Sequence, residues 1–262
     1  MFRVEKKLLS ASRTGHVSLV QDILRDNPNI DVNQGDDTNW SPLMWAAGSG
    51  FPEVVPLLLA HPGIDVNQKS HGGWTPFYRA ALNGHTSCVR LLLKDSRVLL
   101  NERTAEGGTA IIDAASKGHI DVKWWIASGR EMNLGEPGDV SKTDAIGIAR
   151  KRGGTAAAEV ATLLERFLEN PGEIRHALRL ELGEADETAA EMFALVVFVS
   201  DGLLDIKPGE MASRFFRIAT QLPLELQMVL CFRLAGSGKV IVPGRDREQA
   251  FRDLVKRICG PY

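Results

Sequence analysis

The hydrophobic and polar positions of this chain fall into a block that recurs. Each block reads as a turn, a short helix with a paired-alanine face, a Gly or Gly-His break, and a second helix rich in Val and Leu. Gly15, Gly50, Gly84, Gly118 and Gly153 mark the breaks, Ala46, Ala80, Ala114 and Ala149 keep the same step, and so do Asn33, Asn67, Asn101 and Asn133. Three landmark series sharing a step of about 34 residues predict a stack of helix pairs rather than one closed core. The alanines are small where neighbouring helices must approach closely, and Leu57, Leu58, Leu59, Leu91, Leu92 and Leu93 supply the apolar stripe buried between repeats. Ser41 before Pro42 and Thr75 before Pro76 predict an N-cap followed by an N1 proline at the start of each first helix. Pro56 falls where the next second helix should run and predicts a late start or a kink there.

The segments WSPLMWAAGSGF (residues 40–51), WTPFYRAALNGH (74–85) and GTAIIDAASKGH (108–119) resemble the ankyrin signature G-x-T-P-L-H-x-A-A-x-x-G-H. The resemblance implies an all-α solenoid over residues 1–168, with repeats at 5–33, 36–67, 70–101 and 104–133 and a degenerate unit at 143–168. It gives His16, His85 and His119 a structural place between helices. Trp124 and Trp125 stand where the fourth unit should carry leucines, and residues 153–158 insert about three residues before the last helix. The last unit is therefore expected to be distorted. The family also implies that Asn67 and Asn101 could accept side-chain hydroxylation, although bonding to the hairpin backbone is sufficient reason for an asparagine there.

After Phe167 the repeat stops, and residues 169–262 read as a small helical domain of four or five helices. Asn170-Pro171-Gly172-Glu173 opens one helix, with Ile174, Ala177, Leu178 and Leu182 on its apolar face and Gly183 as its stop. MFALVVFV (192–199) is apolar all round and predicts a central helix, with a buried strand as the alternative. Helices at 211–222 and 224–234 follow, and Asp246 with Gln249 forms a capping-box pattern before Phe251, Leu254, Val255 and Ile258. Residues 159–191 are strongly acidic and 207–262 basic, which suggests that this domain docks against the last repeat through charged helices. LPLELQMVL (222–230) resembles the opening of an F-box. Leu222, Pro223, Glu225 and Leu226 would then make the protein a substrate adaptor for a ubiquitin ligase.

Composition narrows the chemistry. The chain has 262 residues, 44% of them hydrophobic and 24% charged, which excludes a disordered polymer. A net charge of -2 gives no general pull toward nucleic acid or anionic lipid, and neither is expected as a partner. Three scattered cysteines form no disulfide framework and no C-x-x-C pair, so a reducing, intracellular setting, cytoplasmic or nuclear, is expected. The sequence predicts neither a signal peptide nor a transmembrane helix. GSGK (236–239) has Arg233 where a phosphate loop needs its first glycine and Val240 where it needs Ser or Thr. Arg150-Lys151-Arg152 is too short a basic run to argue for nucleic acid. No metalloprotease or nucleophile-elbow motif occurs, and no cofactor, metal or catalytic residue is assigned. An enzyme of unrecognised type would have to use Asp201, Arg214, Arg217 and Arg233.

The reading that remains is a non-enzymatic, monomeric scaffold that binds a protein on the concave face of the repeats. The turn tips and first helices nominate Asp37, Thr38, Trp40, Trp45 and Ser49 of the second unit, His71, Trp74, Arg79 and Asn83 of the third, and Glu106, Asp113, Ser116 and Lys117 of the fourth. Trp and Arg are the types most enriched among binding hot spots. Trp40 and Trp74 hold the same place in successive repeats and should neighbour one another along one ridge.

Overall fold

A computed structural model describes residues 2–135 and 144–183, together with Cys231. Contacts divide the chain into two compact units, Met1–Ile174 and Arg175–Tyr262. The first unit is an all-α stack. Its first helices are α1 (Phe2–Thr14), α3 (Pro42–Ser49), α5 (Pro76–Asn83), α7 (Ala110–Lys117) and α9 (Ala145–Arg152). Its second helices are α2 (Val17–Asp26), α4 (Val54–Leu59), α6 (Thr86–Lys94), α8 (Asp121–Ser128) and α10 (Thr155–Glu169). The first helices pack in order along one row, and α2, α4, α6 and α8 along another, while α10 packs on α9 and α7. A last described helix, α11 (Pro171–Glu181), is opened by Asn170, which accepts from the Glu173 amide and donates to its carboxylate.

Local chemistry explains the boundaries. Ser41 Oγ accepts from the Met44 amide and Thr75 Oγ1 from the Tyr78 amide, each ahead of its N1 proline, as predicted. The alanines at 46, 80, 114 and 149 are essentially inaccessible, so the helix row is as close as the methyl groups allow. Helices α3, α5 and α7 end on the left-handed glycines Gly50, Gly84 and Gly118, against each of which the next unit closes. A Cβ on Gly50 would lie 2.6 Å from Nδ1 of His85, and one on Gly84 equally close to Nδ1 of His119. Nε2 of these histidines faces the Gly48 and Leu82 carbonyls at 3.0 and 3.1 Å. The two imidazoles are thus packing and bonding groups.

Helix α4 starts at Val54 and has six residues against nine in α6, which leaves Pro56 in the first turn where no intrahelical N–H is lost. The late start is the one predicted. Trp125 is fully buried with its ring edge-to-face on Phe77 at 4.8 Å, while Trp124 stays half-exposed beneath the Arg90 guanidinium. In the fifth unit the lengthened α10 brings Ala156 against Gly118, at the place where His85 and His119 sit against the glycines before them. Cys88 is also fully buried, and its thiol is pushed up to about 12 by burial. Cys231 is a second buried thiol, pushed up to about 11 for the same reason.

The closing asparagines bond to hairpin backbone, and the hairpin is that of the following repeat. Asn33 donates to the Gly63 carbonyl and accepts from the Asp65 amide. Asn67 donates to Arg97 O at 2.8 Å and accepts from the Leu99 amide at 2.7 Å, and Asn101 treats Glu131 and Asn133 in the same way. Each side chain thereby pins two backbone groups of its successor. The Arg130 guanidinium adds a clamp, reaching the Leu93, Asp95 and Val98 carbonyls of the preceding repeat. The expectations for the adaptor segment, for the residues an enzyme would use and for the remaining C-terminal helices lie outside the described residues.

Replacing Asn67 by Ala removes two inter-repeat hydrogen bonds and should destabilise the fold by about 1–3 kcal/mol. Thermal and urea unfolding measure this. An unchanged midpoint would mean that the clamp carries no stability.

Candidate functional site

The candidate surface begins at the tip of the second repeat, where Asp36 organises the turn. One carboxylate oxygen accepts from the Thr38 amide, the Thr38 hydroxyl and the Trp40 amide at 2.9, 2.6 and 3.0 Å. The other accepts from the Trp45 indole N–H at 3.0 Å. Burial pushes this carboxyl up, but the bonds from Thr38, Trp40 and Trp45 outweigh it and hold it below the usual carboxylate range. Asn39 closes the turn with φ at +61°, at the place where the next two repeats carry Gly73 and Gly107. Asparagine tolerates that conformation, and here its side chain also donates to the Lys69 carbonyl of the third repeat. Bound to one carboxylate, Trp40 and Trp45 lie with ring centroids 4.5 Å apart and planes tilted by 45°.

The third repeat completes the group. Trp74 meets Trp40 edge-to-face at 5.9 Å, so the neighbours along one ridge are present. Between them lies the Arg79 guanidinium, 4.5 Å from the Trp40 ring centre and 5.0 Å from that of Trp74. Gly48 makes room for it: a Cβ there would meet Cβ of Arg79 at 3.2 Å. Arg79 is half-buried, its Nε is buried without a hydrogen-bond partner, and no carboxylate of the described residues pairs with it. Burial lowers its pKa from the ordinary arginine value, with the neighbouring Tyr78 opposing. At the far end Arg13 of α1 stands over Trp45 at 5.5 Å. The order Arg13, Trp45, Trp40, Arg79, Trp74 is therefore one continuous cation–π ladder spanning three repeats. Each contact is worth about 0.5–2 kcal/mol, depending on how far it is desolvated.

The other nominated residues divide into two sets. Asp37, His71 and Glu106 are exposed at the turn tips and Ser49 at a helix end, and Thr38 is exposed with its carbonyl accepting from the His71 amide. Asn83 donates to Gly48 O at 2.7 Å and Lys117 to Leu82 O at 3.0 Å, so both also tie a first helix to its predecessor. Asp113 is half-buried and accepts from the Tyr78 hydroxyl, whose pKa is raised by burial and by that carboxylate. Ser116 is a correction, because it is buried at 3% exposure, where its hydroxyl donates to Asp113 O and accepts from Arg152. It cannot meet a partner.

Sequence reasoning passed over Asp36, Arg13 and Gly48. A signal existed for two of them. Asp36 precedes Trp40 by the interval at which Ser70 precedes Trp74, and each accepts from the tryptophan amide. Gly48 stands where the next repeats carry Leu82 and Ser116, and the missing side chain is what admits Arg79. Among the described residues no cluster of metal-ligating side chains occurs, and no helix is long and apolar enough to cross a membrane.

Because Asp36 is held below its ordinary value of 3.8, its stabilising bonds are fully present above that pH and are lost as pH falls through the folded value. Asp36→Asn should therefore be less stable than wild type at neutral pH, the gap closing as the solution is acidified below about pH 4. Urea midpoints across that range measure it, and a gap independent of pH would contradict the assignment.

No curated protein matches the chain as a relative. The sequence model of ankyrin repeats, built as three copies, matches residues 6–70 and 63–136. Four helix pairs occupy that stretch, with N1 prolines on α3 and α5, closing glycines and stacking histidines. Ankyrin repeats are a protein–protein interaction module. With half of its length matched and the helix pairs in register, the chain belongs to the ankyrin-repeat family.

Proposed function

We propose that this protein is a binding scaffold that receives a protein partner across the ladder formed by Arg13, Trp45, Trp40, Arg79 and Trp74. The observation that carries the proposal is the guanidinium of Arg79, held between two indoles with no acceptor of its own among the described residues. An arginine packed against two indoles has already lost much of its conformational freedom, so a partner that hydrogen-bonds to it orders little on binding. The three indoles are half-exposed and offer large, rigid contact area at low entropic cost. Exposed Asp37, His71 and Glu106 stand at the tips beside the ladder as a polar rim.

Affinity capture from a native extract tests the reading, comparing wild type with a Trp40→Ala, Trp74→Ala double variant and with Leu99→Ala, Ile120→Ala, which changes two exposed apolar residues elsewhere. The ladder variant should lose specific partners at least about tenfold, as expected when hot-spot aromatics are truncated, and the control should keep them. Retention by the ladder variant would remove the concave face from the function.

A further inference from the structure

The first helices carry a second pattern, beyond the tryptophans. The residue before each closing glycine is Thr14, Ser49, Asn83, Lys117 and then Arg152, polar at first and cationic toward the C-terminal repeats. The later three reach back to the preceding first helix, Asn83 to Gly48 O, Lys117 to Leu82 O and Arg152 to Ser116 Oγ at 3.2 Å. These bonds fix the cations along one row. Arg79 continues it in the third repeat and Arg13 in the first. None of Arg13, Arg79, Lys117 and Arg152 pairs with a carboxylate among the described residues, whereas the exposed Arg25 and Arg97 do. Two acids lie within the same helices, and neither answers the row: Glu5 is buried, and Asp113 is engaged by the Tyr78 hydroxyl. A half-buried guanidinium with an unpartnered Nε in such a row lacks a counter-charge.

We propose that this row binds an extended acidic segment of the protein partner, with one carboxylate paired to Arg79 between Trp40 and Trp74. This rests on the scaffold reading and adds the chemistry of what is bound. Packed helices lie about 8–10 Å apart, and an extended chain advances about 3.3 Å per residue, so one repeat corresponds to roughly three residues of the segment. Acids at every third position would meet Arg79, Lys117 and Arg152 in successive repeats. An apolar side chain one step further toward the first repeat would face Trp45 and Trp40. The two indoles flanking Arg79 meet edge-to-face and cover its guanidinium, which leaves them poorly placed to stack bases. This ring geometry therefore favours an acidic peptide over a nucleic acid.

The test uses the full chain and a fluorescein-labelled peptide with glutamate at every third position, followed by anisotropy at about 50 mM salt. Comparison ligands are the same peptide with glutamine for glutamate and an oligothymidylate of similar length. The glutamate peptide should bind at least about tenfold more tightly than either, because charge-assisted hydrogen bonds are lost in the first and the second finds no open indole face on which to stack its bases. Arg79→Gln should weaken binding about tenfold and Arg79→Lys should not restore it, since an ammonium lacks the planar fork. Lys117→Gln with Arg152→Gln should weaken it further, and Arg25→Gln on α2 should leave it unchanged. No measurable binding, equal binding of the glutamine peptide or the oligonucleotide, or indifference to Arg79 would each overturn the proposal. If any of these occurred while the tryptophan double variant still lost its cellular partners, the scaffold reading would stand and the acidic segment alone would fall. Retention of those partners would remove both.

Discussion

No repeat in this chain can bury its helices unaided, so each depends on how closely its neighbour can approach. The approach is set by atoms too small to be seen as contacts in a sequence: the methyls of Ala46, Ala80, Ala114 and Ala149, and the absent side chains of Gly50 and Gly84 against His85 and His119. The asparagines then lock the distance with paired bonds to the next repeat's backbone. Stability in such a stack is approximately the sum of intrinsic repeat terms and these nearest-neighbour terms.

The same closeness builds the surface. Residues one repeat apart are brought within touching distance, so Trp40 and Trp74 meet, and Arg79 of one repeat lies over an indole of the one before. The ladder is therefore a property of the stack and not of any single repeat. Its order is enforced from below by Asp36, which fixes two tryptophans, and by Gly48, which leaves space for the arginine. On the proposed reading a partner would meet a patch already ordered by folding.

Much of this was legible in the residues. Periodicity gives the register, the caps at Ser41 and Thr75, the late start forced by Pro56, and the adjacency of Trp40 and Trp74. It does not say across which boundary a polar side chain reaches. For that reason periodicity leaves open which hairpin Asn67 bonds to, and it nominates Ser116 for the surface although that residue lies beneath Arg152. Asp36 escaped notice because acidic turn residues are common and only its two-sided bonding singles it out. Arg13 was missed because the first unit matches the repeat only in half, which hides the equivalence of α1 with the other first helices.

The central claim is that the Arg79 guanidinium is held between two indoles in solution. Side-chain ¹H–¹⁵N correlation spectra of the arginine Nε groups test it directly. The expected result is an Arg79 resonance shifted strongly upfield by the ring currents and slow to exchange with water, returning toward the free-arginine position in the Trp40→Ala, Trp74→Ala variant. An Arg79 resonance at the free-arginine position in wild type would contradict the account.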